Sequence, residues 1–363
     1  MLELRQAFID NAPQYLAISG LLIGFAFGYI AYRTNFCTMG GVSDALNFGD
    51  YRRFRSWILA GAVAIAGTQL LTYGGIVAVE NSIYIGSSLN WTGHVFGGLI
   101  FGFGMVFAGG CPSRNLARAG GGDLRSLMTL VFVGIFAFAS MGGIFGPIRA
   151  WLAETTSLPM SQFGAPTTSL ADIAVAHGAV SSDISGLAIG FLIAGLFALY
   201  CFSSRELRSS PVHIVAGVGV GLCIIAGWAA TGLAFDEFTE APVQPISLTY
   251  VRPTGDALDW LQRFTALGLP GFGVTTVFGA ILGAFVAARA MGRFRITTFS
   301  DVGDTVRSLS GAALMGIGGV MALGCSIGQG LTGISTLAFG SFLSLVAIII
   351  GAIIGLKTLE RFA

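Results

Sequence analysis

Nine separate runs of mostly apolar residues divide this chain, and that feature limits its fold more than any other. A helix needs about 20 such residues to cross the ~30 Å hydrocarbon core of a bilayer. The runs cover approximately residues 15–32, 57–79, 93–109, 127–146, 184–202, 212–234, 271–291, 309–323 and 334–356, the third and eighth being short. Only 10% of the 363 residues are charged, against roughly 25% in a soluble domain. Glycine contributes 54 residues, about twice its usual ~7% share, which suits helix backbones that approach closely in lipid. We therefore expect an all-α polytopic membrane protein, a single transmembrane domain over residues 1–363. The opening segment MLELRQAFIDNAPQY has no basic stretch and no small-residue cleavage site behind it, so the first span is expected to be retained.

Orientation follows from the basic residues, because short loops rich in Arg and Lys stay cytoplasmic. With the N-terminus outside and the C-terminus inside, the inner segments hold 15 of the 19 basic residues. Only Arg5, Arg149, Arg252 and Arg263 remain outside. Basic and acidic residues nearly cancel, at 19 and 18, so no stripe points to nucleic acid.

Two internal similarities add a plan. Residues 102–115 (GFGMVFAGGCPSRN) match residues 316–329 (GIGGVMALGCSIGQ) through Gly102/Gly316, Gly104/Gly318, Val106/Val320, Gly110/Gly324 and Cys111/Cys325. Residues 28–40 fit the end of the first span as residues 221–232 fit the end of the sixth, although the second copy lacks a cysteine at the matching place. With a linking span at about 184–202, the halves at about 15–146 and 212–356 have opposite orientations. That is an inverted pseudo-two-fold repeat, whose site is expected at the interface of the halves.

Three cysteines stand where apolar runs break, at Cys37, Cys111 and Cys325. Irregular backbone at membrane depth is tolerated where it is buried in protein or lines a cavity. These breaks are therefore expected to be re-entrant turns leading into short helices. Pro112 suits the first turn of a helix starting after Cys111, whose free N–H groups and positive dipole end favour an anion. Around the thiols lie Thr38, Ser113, Asn115, Ser326, Gln329 and Thr332, short polar groups that can replace a hydration shell without a fixed charge. A thiol is soft and a weak S–H donor, which fits a substrate containing sulfur better than phosphate or chloride. Cys201 and Cys223 lie inside continuous apolar spans and are read as packing residues. His94, His177 and His213 sit alone near loop edges, where solvation at the interface explains them, and no metal or cofactor is expected. Arg114 and Arg118 are explained equally by the topology signal and by a positive potential on an anion path. Asp44 reads the same way, and Asn47, Trp91 and Trp151 read as boundary residues. The spans contain essentially no carboxylate of the kind a proton relay uses.

At these residues the sequence resembles the YeeE/YedE family of sulfur-transport membrane proteins. The resemblance runs over most of the chain. Its specific parts are Gly110-Cys111-Pro112, the segment from Gly324 to Gly330, the early Phe36-Cys37-Thr38-Met39-Gly40-Gly41 and the element Tyr250-Val251-Arg252-Pro253. The resemblance implies nine spans in pseudo-two-fold halves, with Cys37, Cys111 and Cys325 along a central path. It also implies uptake of thiosulfate or a related small sulfur-containing anion across a bacterial inner membrane, with a small cytoplasmic sulfurtransferase consuming the ion. Two other readings stand beside it. One is a membrane thiol redox or sulfurtransferase enzyme forming a persulfide or disulfide on the same cysteines, against which counts the lack of a Cys-x-x-Cys. The other is a Cu(I) transporter, which lacks a Met-rich or Cys-His cluster.

Overall fold

A computed structural model describes residues 2–178, 184–238 and 242–362. Apart from one antiparallel pair of two-residue strands, β1 (Ser88–Leu89) and β2 (Leu158–Pro159), the described secondary structure is helical. The principal helices are α1 (Ala12–Thr34), α2 (Thr38–Asn47), α3 (Arg52–Tyr73), α4 (Gly98–Phe107), α5 (Pro112–Gly120), α6 (Leu124–Met141), α7 (Ser185–Phe202), α8 (Pro211–Ala234), α9 (Arg252–Gln262), α10 (Phe272–Ala290), α11 (Val302–Met321) and α12 (Phe339–Phe362). Wide π-helical turns precede α4 at Gly93–Gly97 and α12 at Gly328–Gly333.

Eight helical segments among the described residues are long and apolar enough to cross a membrane. They comprise α1 with α2, α3, α4 with its π turn and α5, α6, α7, α8, α10 and α12. The eighth of the nine expected runs falls on α11, which has 20 residues but is not among those eight. The reason is chemical: Asp301 caps α11, accepting from the Asp304 N–H at 2.8 Å, so the helix begins before its apolar part and takes in Asp304 and Arg307. Asp304 thus stands in the same helix ahead of the expected apolar run 309–323. It is saturated by Arg125 at 3.0 Å and Arg307 at 2.6 Å.

Glycine sets how closely the helices pack. On α1, Gly20, Gly24 and Gly28 recur every fourth residue on one face, and Gly279 and Gly283 do the same on α10. A methyl group on Gly24, Gly28, Gly279 or Gly283 would overlap the facing backbone, so only hydrogen fits between α1 and α10. On α8, Gly217 and Gly221 face α3, where an added Cβ would lie 2.6 Å from the Ser56 carbonyl oxygen and 2.7 Å from Val63. Between α4 and α11, Gly104 and Gly311 face one another's backbone in the same way. Further packings join α12 to α4, α6 to α11, α8 to α1, α10 to α5, α6 to α9 and α2 to α3, while α7 lies against α3 at the periphery. Exposed Leu192, Leu196 and Leu199 on α7 make an outward apolar stripe of the kind a lipid-facing helix needs.

Candidate functional site

Each of the three expected cysteines stands at a break, and the backbone explains why the chain turns there. Asn35 ends α1 in the left-handed region at φ 55°, and Cys37 then caps α2, its Sγ accepting from the Gly40 N–H at 3.3 Å. Gly109 and Gly110 have φ of 72° and 151°, conformations that disfavour a side chain, and they turn the chain so that Cys111 caps α5 with Pro112 in its first turn. Leu323 is left-handed at φ 60° after α11, and the Gly328 N–H donates to Cys325 Sγ at 3.3 Å. All three thiols are buried and unpaired by disulfides.

The turns converge. The Cys37 and Cys111 thiols stand side by side, and Cys111 lies 3.0 Å from the Ser113 hydroxyl. The Ser326 hydroxyl lies beside the Cys111 sulfur without completing a well-formed hydrogen bond, which brings the third motif to the second. Cys325 is 3.9 Å from the Thr249 hydroxyl and faces the Tyr250 and Ile327 N–H groups. Four of the polar residues singled out by sequence leave a buried atom without a protein partner: Thr38 Oγ1, Asn115 Oδ1, Ser326 Oγ and Gln329 Oε1. Such orphans are uncommon in a packed interior, where each costs about 1–3 kcal/mol. The two amides are already committed as donors. Asn115 Nδ2 donates to the Gly110 and Cys111 carbonyls at 2.9 and 3.2 Å, and Gln329 Nε2 donates to the Ala322 carbonyl. Their free oxygens can accept from a thiol, whereas the Thr38 and Ser326 hydroxyls can donate to an anion. Thr332 donates to the Leu248 carbonyl at 2.6 Å, tying the π turn to the segment before α9.

A cavity of about 530 Å³ leads to this centre, reaching Thr249 and Gly324 at its inner end and carrying Arg149, Arg252 and Asp256 on its wall. Burial raises the Asp256 carboxyl above its ordinary range, and Arg252, 3.5 Å away, partly offsets this. At the opposite side Arg114 donates to the Asn35 side chain at 3.0 Å, beside the Cys37 and Cys111 turns. Arg118 pairs instead with Asp123 at 2.7 Å, which makes it part of a structural ion-pair chain running through Arg125 to Asp304.

Cys201 belongs to a separate packed cluster, whereas Cys223 shares the main one with Cys111 and Cys325. Cys201 packs with Leu59 and Leu207 and donates to the Arg55 carbonyl at 3.2 Å, and Cys223 packs inside α8. His94 departs from the expectation of a solvated loop edge: it is 6% exposed, its Nδ1 2.7 Å from the Ser344 hydroxyl, because the π turn carries it inward against α12. Sequence reasoning missed Tyr84, Thr249 and Arg149 as neighbours of the site and its cavity. Tyr84 and Thr249 come from loops and Arg149 from the short helix Gly146–Thr156, all remote in sequence from the cysteines of the site, and no local motif marks them.

The fold and the site together define a multi-pass membrane protein whose buried centre is built of thiols and small hydroxyls. The chain belongs to the sulphur transport family, whose pattern it matches over residues 33–354. It is 30% identical over 346 residues to a Spirochaeta thermophila protein named thiosulfate transporter TsuA, covering 92% of this chain and 96% of that one. It is 27% identical over 360 residues to an Escherichia coli protein of the same name, covering 93% and 92%.

Proposed function

We propose that this protein takes up thiosulfate across a bacterial inner membrane along the buried thiols. The observation that carries the reading is the continuity of Cys325, Ser326, Cys111 and Cys37, flanked by orphaned hydroxyls and reached from a cavity with two arginines on its wall. The names of the two relatives point to the same ion. In this reading Arg149 and Arg252 attract the dianion, and its sulfur end accepts S–H hydrogen bonds from Cys325, Cys111 and Cys37 in turn. Thr38, Ser113 and Ser326 donate to its oxygens, and the first N–H groups of α5 balance its charge. Asn115 and Gln329 accept from the thiols and hold them in place. Arg114 receives the ion at the inner mouth.

The architecture proposed for this path has nine spans, the eight apolar ones together with α11, in two inverted halves linked by α7. Its support is an exchange rule in the packing. Replacing α1, α2, α3, α4, α5 and α6 by α8, α9, α10, α11, the Gly328–Gly333 turn and α12 turns one set of contacts into the other: α1 on α10 becomes α8 on α3, α4 on α12 becomes α11 on α6, and α2 on α3 becomes α9 on α10. Cys111 and Cys325 exchange under this rule, whereas Cys37, capping α2, corresponds to Val251, capping α9. Segments assigned to one side touch one another, Asp123 pairing with Thr297 and Arg55 donating to the Tyr200 carbonyl at 2.7 Å, while the choice of N-outside rests on the 15 basic residues of the inner segments. The inner loops at 33–56 and 289–308 offer a small sulfurtransferase an arginine-rich surface.

The direct test is uptake of labelled thiosulfate by a sulfur-starved host whose own uptake is deleted, with and without this protein. Growth and uptake that depend on it are expected. The absence of both in well-expressed protein would remove the reading. The side-by-side Cys37 and Cys111 also favour a second reading, covalent thiol chemistry, in which one thiolate attacks the outer sulfur of thiosulfate to form a persulfide as sulfite leaves, and the other thiolate can then displace hydrosulfide to close a disulfide. Either product is detectable by mass spectrometry of protein quenched during turnover.

A further inference from the structure

We propose that Tyr84 is a further binding residue for the anion, its phenol hydroxyl donating to an oxygen of the ion whose sulfur meets Cys325. The inference rests on the transport reading above and assigns a residue that no sequence motif marks. Tyr84 is 5% exposed, and its hydroxyl has no hydrogen-bond partner in the protein. A phenol buried this deeply ordinarily has one. The ring is fixed edge-on against Trp228, centroids 6.4 Å apart at 71°. Trp228 is itself held by its indole N–H donating to the Ser335 hydroxyl at 2.9 Å. The hydroxyl is therefore aimed by packing and needs no rearrangement to meet a ligand.

Its position is set by Gly328, whose N–H donates to Cys325 Sγ at 3.3 Å. A methyl built on that glycine would lie 3.6 Å from the Tyr84 hydroxyl oxygen and would overlap the Thr249 hydroxyl. Thus the Tyr84 phenol, the Thr249 hydroxyl and the Cys325 thiol gather around one backbone position that carries no side chain. The adjacent Ile83, with Thr249 and Gly324, lines the 530 Å³ cavity, so this group stands where that cavity meets the thiols. A thiosulfate ion has one sulfur end and one end with three oxygens. A soft S–H donor and a hard O–H donor gathered about one glycine match the two ends, and a neutral phenol stabilises the oxygens without holding the ion as a fixed cation would.

The test is Tyr84→Phe in the full chain reconstituted into proteoliposomes, with labelled thiosulfate uptake measured against concentration. Because the hydroxyl bonds to nothing in the protein, the melting temperature in detergent should not fall. KM for thiosulfate should rise about tenfold or more, the size of one hydrogen bond to a charged group. Inhibition by hydrosulfide, which has a sulfur end and no oxygens, should be unchanged. An unchanged KM overturns the proposal, as does a lowered melting temperature with equal weakening toward thiosulfate and hydrosulfide, which would mark a structural hydroxyl. Absence of uptake by the wild-type protein overturns the transport reading with it, whereas uptake that Tyr84→Phe leaves untouched overturns this inference alone.

Discussion

At the scale of single residues, the five cysteines divide by what surrounds them. Cys37, Cys111 and Cys325 each cap or precede a turn with orphaned polar atoms beside it, while Cys201 packs in a separate apolar cluster and Cys223 lies within the continuous helix α8. Replacing any of the first three by alanine is expected to reduce thiosulfate uptake more than tenfold, equivalent to about 1.4 kcal/mol. Alanine at Cys201 or Cys223 should cost about 1 kcal/mol of stability and leave uptake near wild type. Labelled-ion uptake normalised to folded protein checks both, and equal loss at all five positions would contradict the division. Serine at position 325 should fail almost as badly as alanine. A hydroxyl is a harder and better-hydrated group than the thiol, and the change in size is small. Wild-type transport by Cys325→Ser would mean that a generic polar path suffices.

At the scale of elements, the helix breaks were legible in the sequence because they are local, whereas the glycine share announced close packing without showing which faces meet. A Gly-Cys-Pro or Gly-Cys-Ser stops an apolar helix wherever it occurs, because the left-handed residues ahead of the cysteine turn the chain. The end of α11 was legible in this way, but its start was not, since hydropathy alone passes over a capping Asp301 and the charged turn behind it. Where a glycine stripe faces a backbone, a larger residue is excluded by geometry. Gly28→Ala is expected to push α1 off α10 and to destabilise the protein by about 1–3 kcal/mol, the usual range for overpacking. A thermal unfolding curve in detergent measures this. Gly49, at φ 66° with open space around it, makes a useful contrast: alanine there meets no neighbour and is strained only by its backbone. If Gly28→Ala and Gly49→Ala destabilise equally, the α1–α10 contact is not the tight one described.

At the scale of the whole molecule, the question is what drives net flux. The carboxylate found in α11, Asp304, is held by two arginines and lies in the ion-pair chain rather than beside the thiols, so it offers no free proton relay. A dianion moving into a compartment at −100 mV faces roughly 4.6 kcal/mol, at about 2.3 kcal/mol per charge. Consumption of the ion inside is the natural way to keep flux inward. In proteoliposomes without a partner, slow equilibration is expected that responds to an imposed voltage and not to a pH gradient at zero voltage. Accumulation driven by a pH or sodium gradient alone would reveal a coupling site elsewhere. What the sequence by itself determined is the solvent of this protein and the places where its helices break, because apolar run length and glycine-cysteine turns act within a few residues of themselves. What only the tertiary structure decided is which breaks meet. The placing of Cys37 against Cys111, of Ser326 beside them and of Tyr84 and Thr249 around Gly328 depends on helices far apart in the chain packing through their glycines, and no local pattern encodes such a meeting.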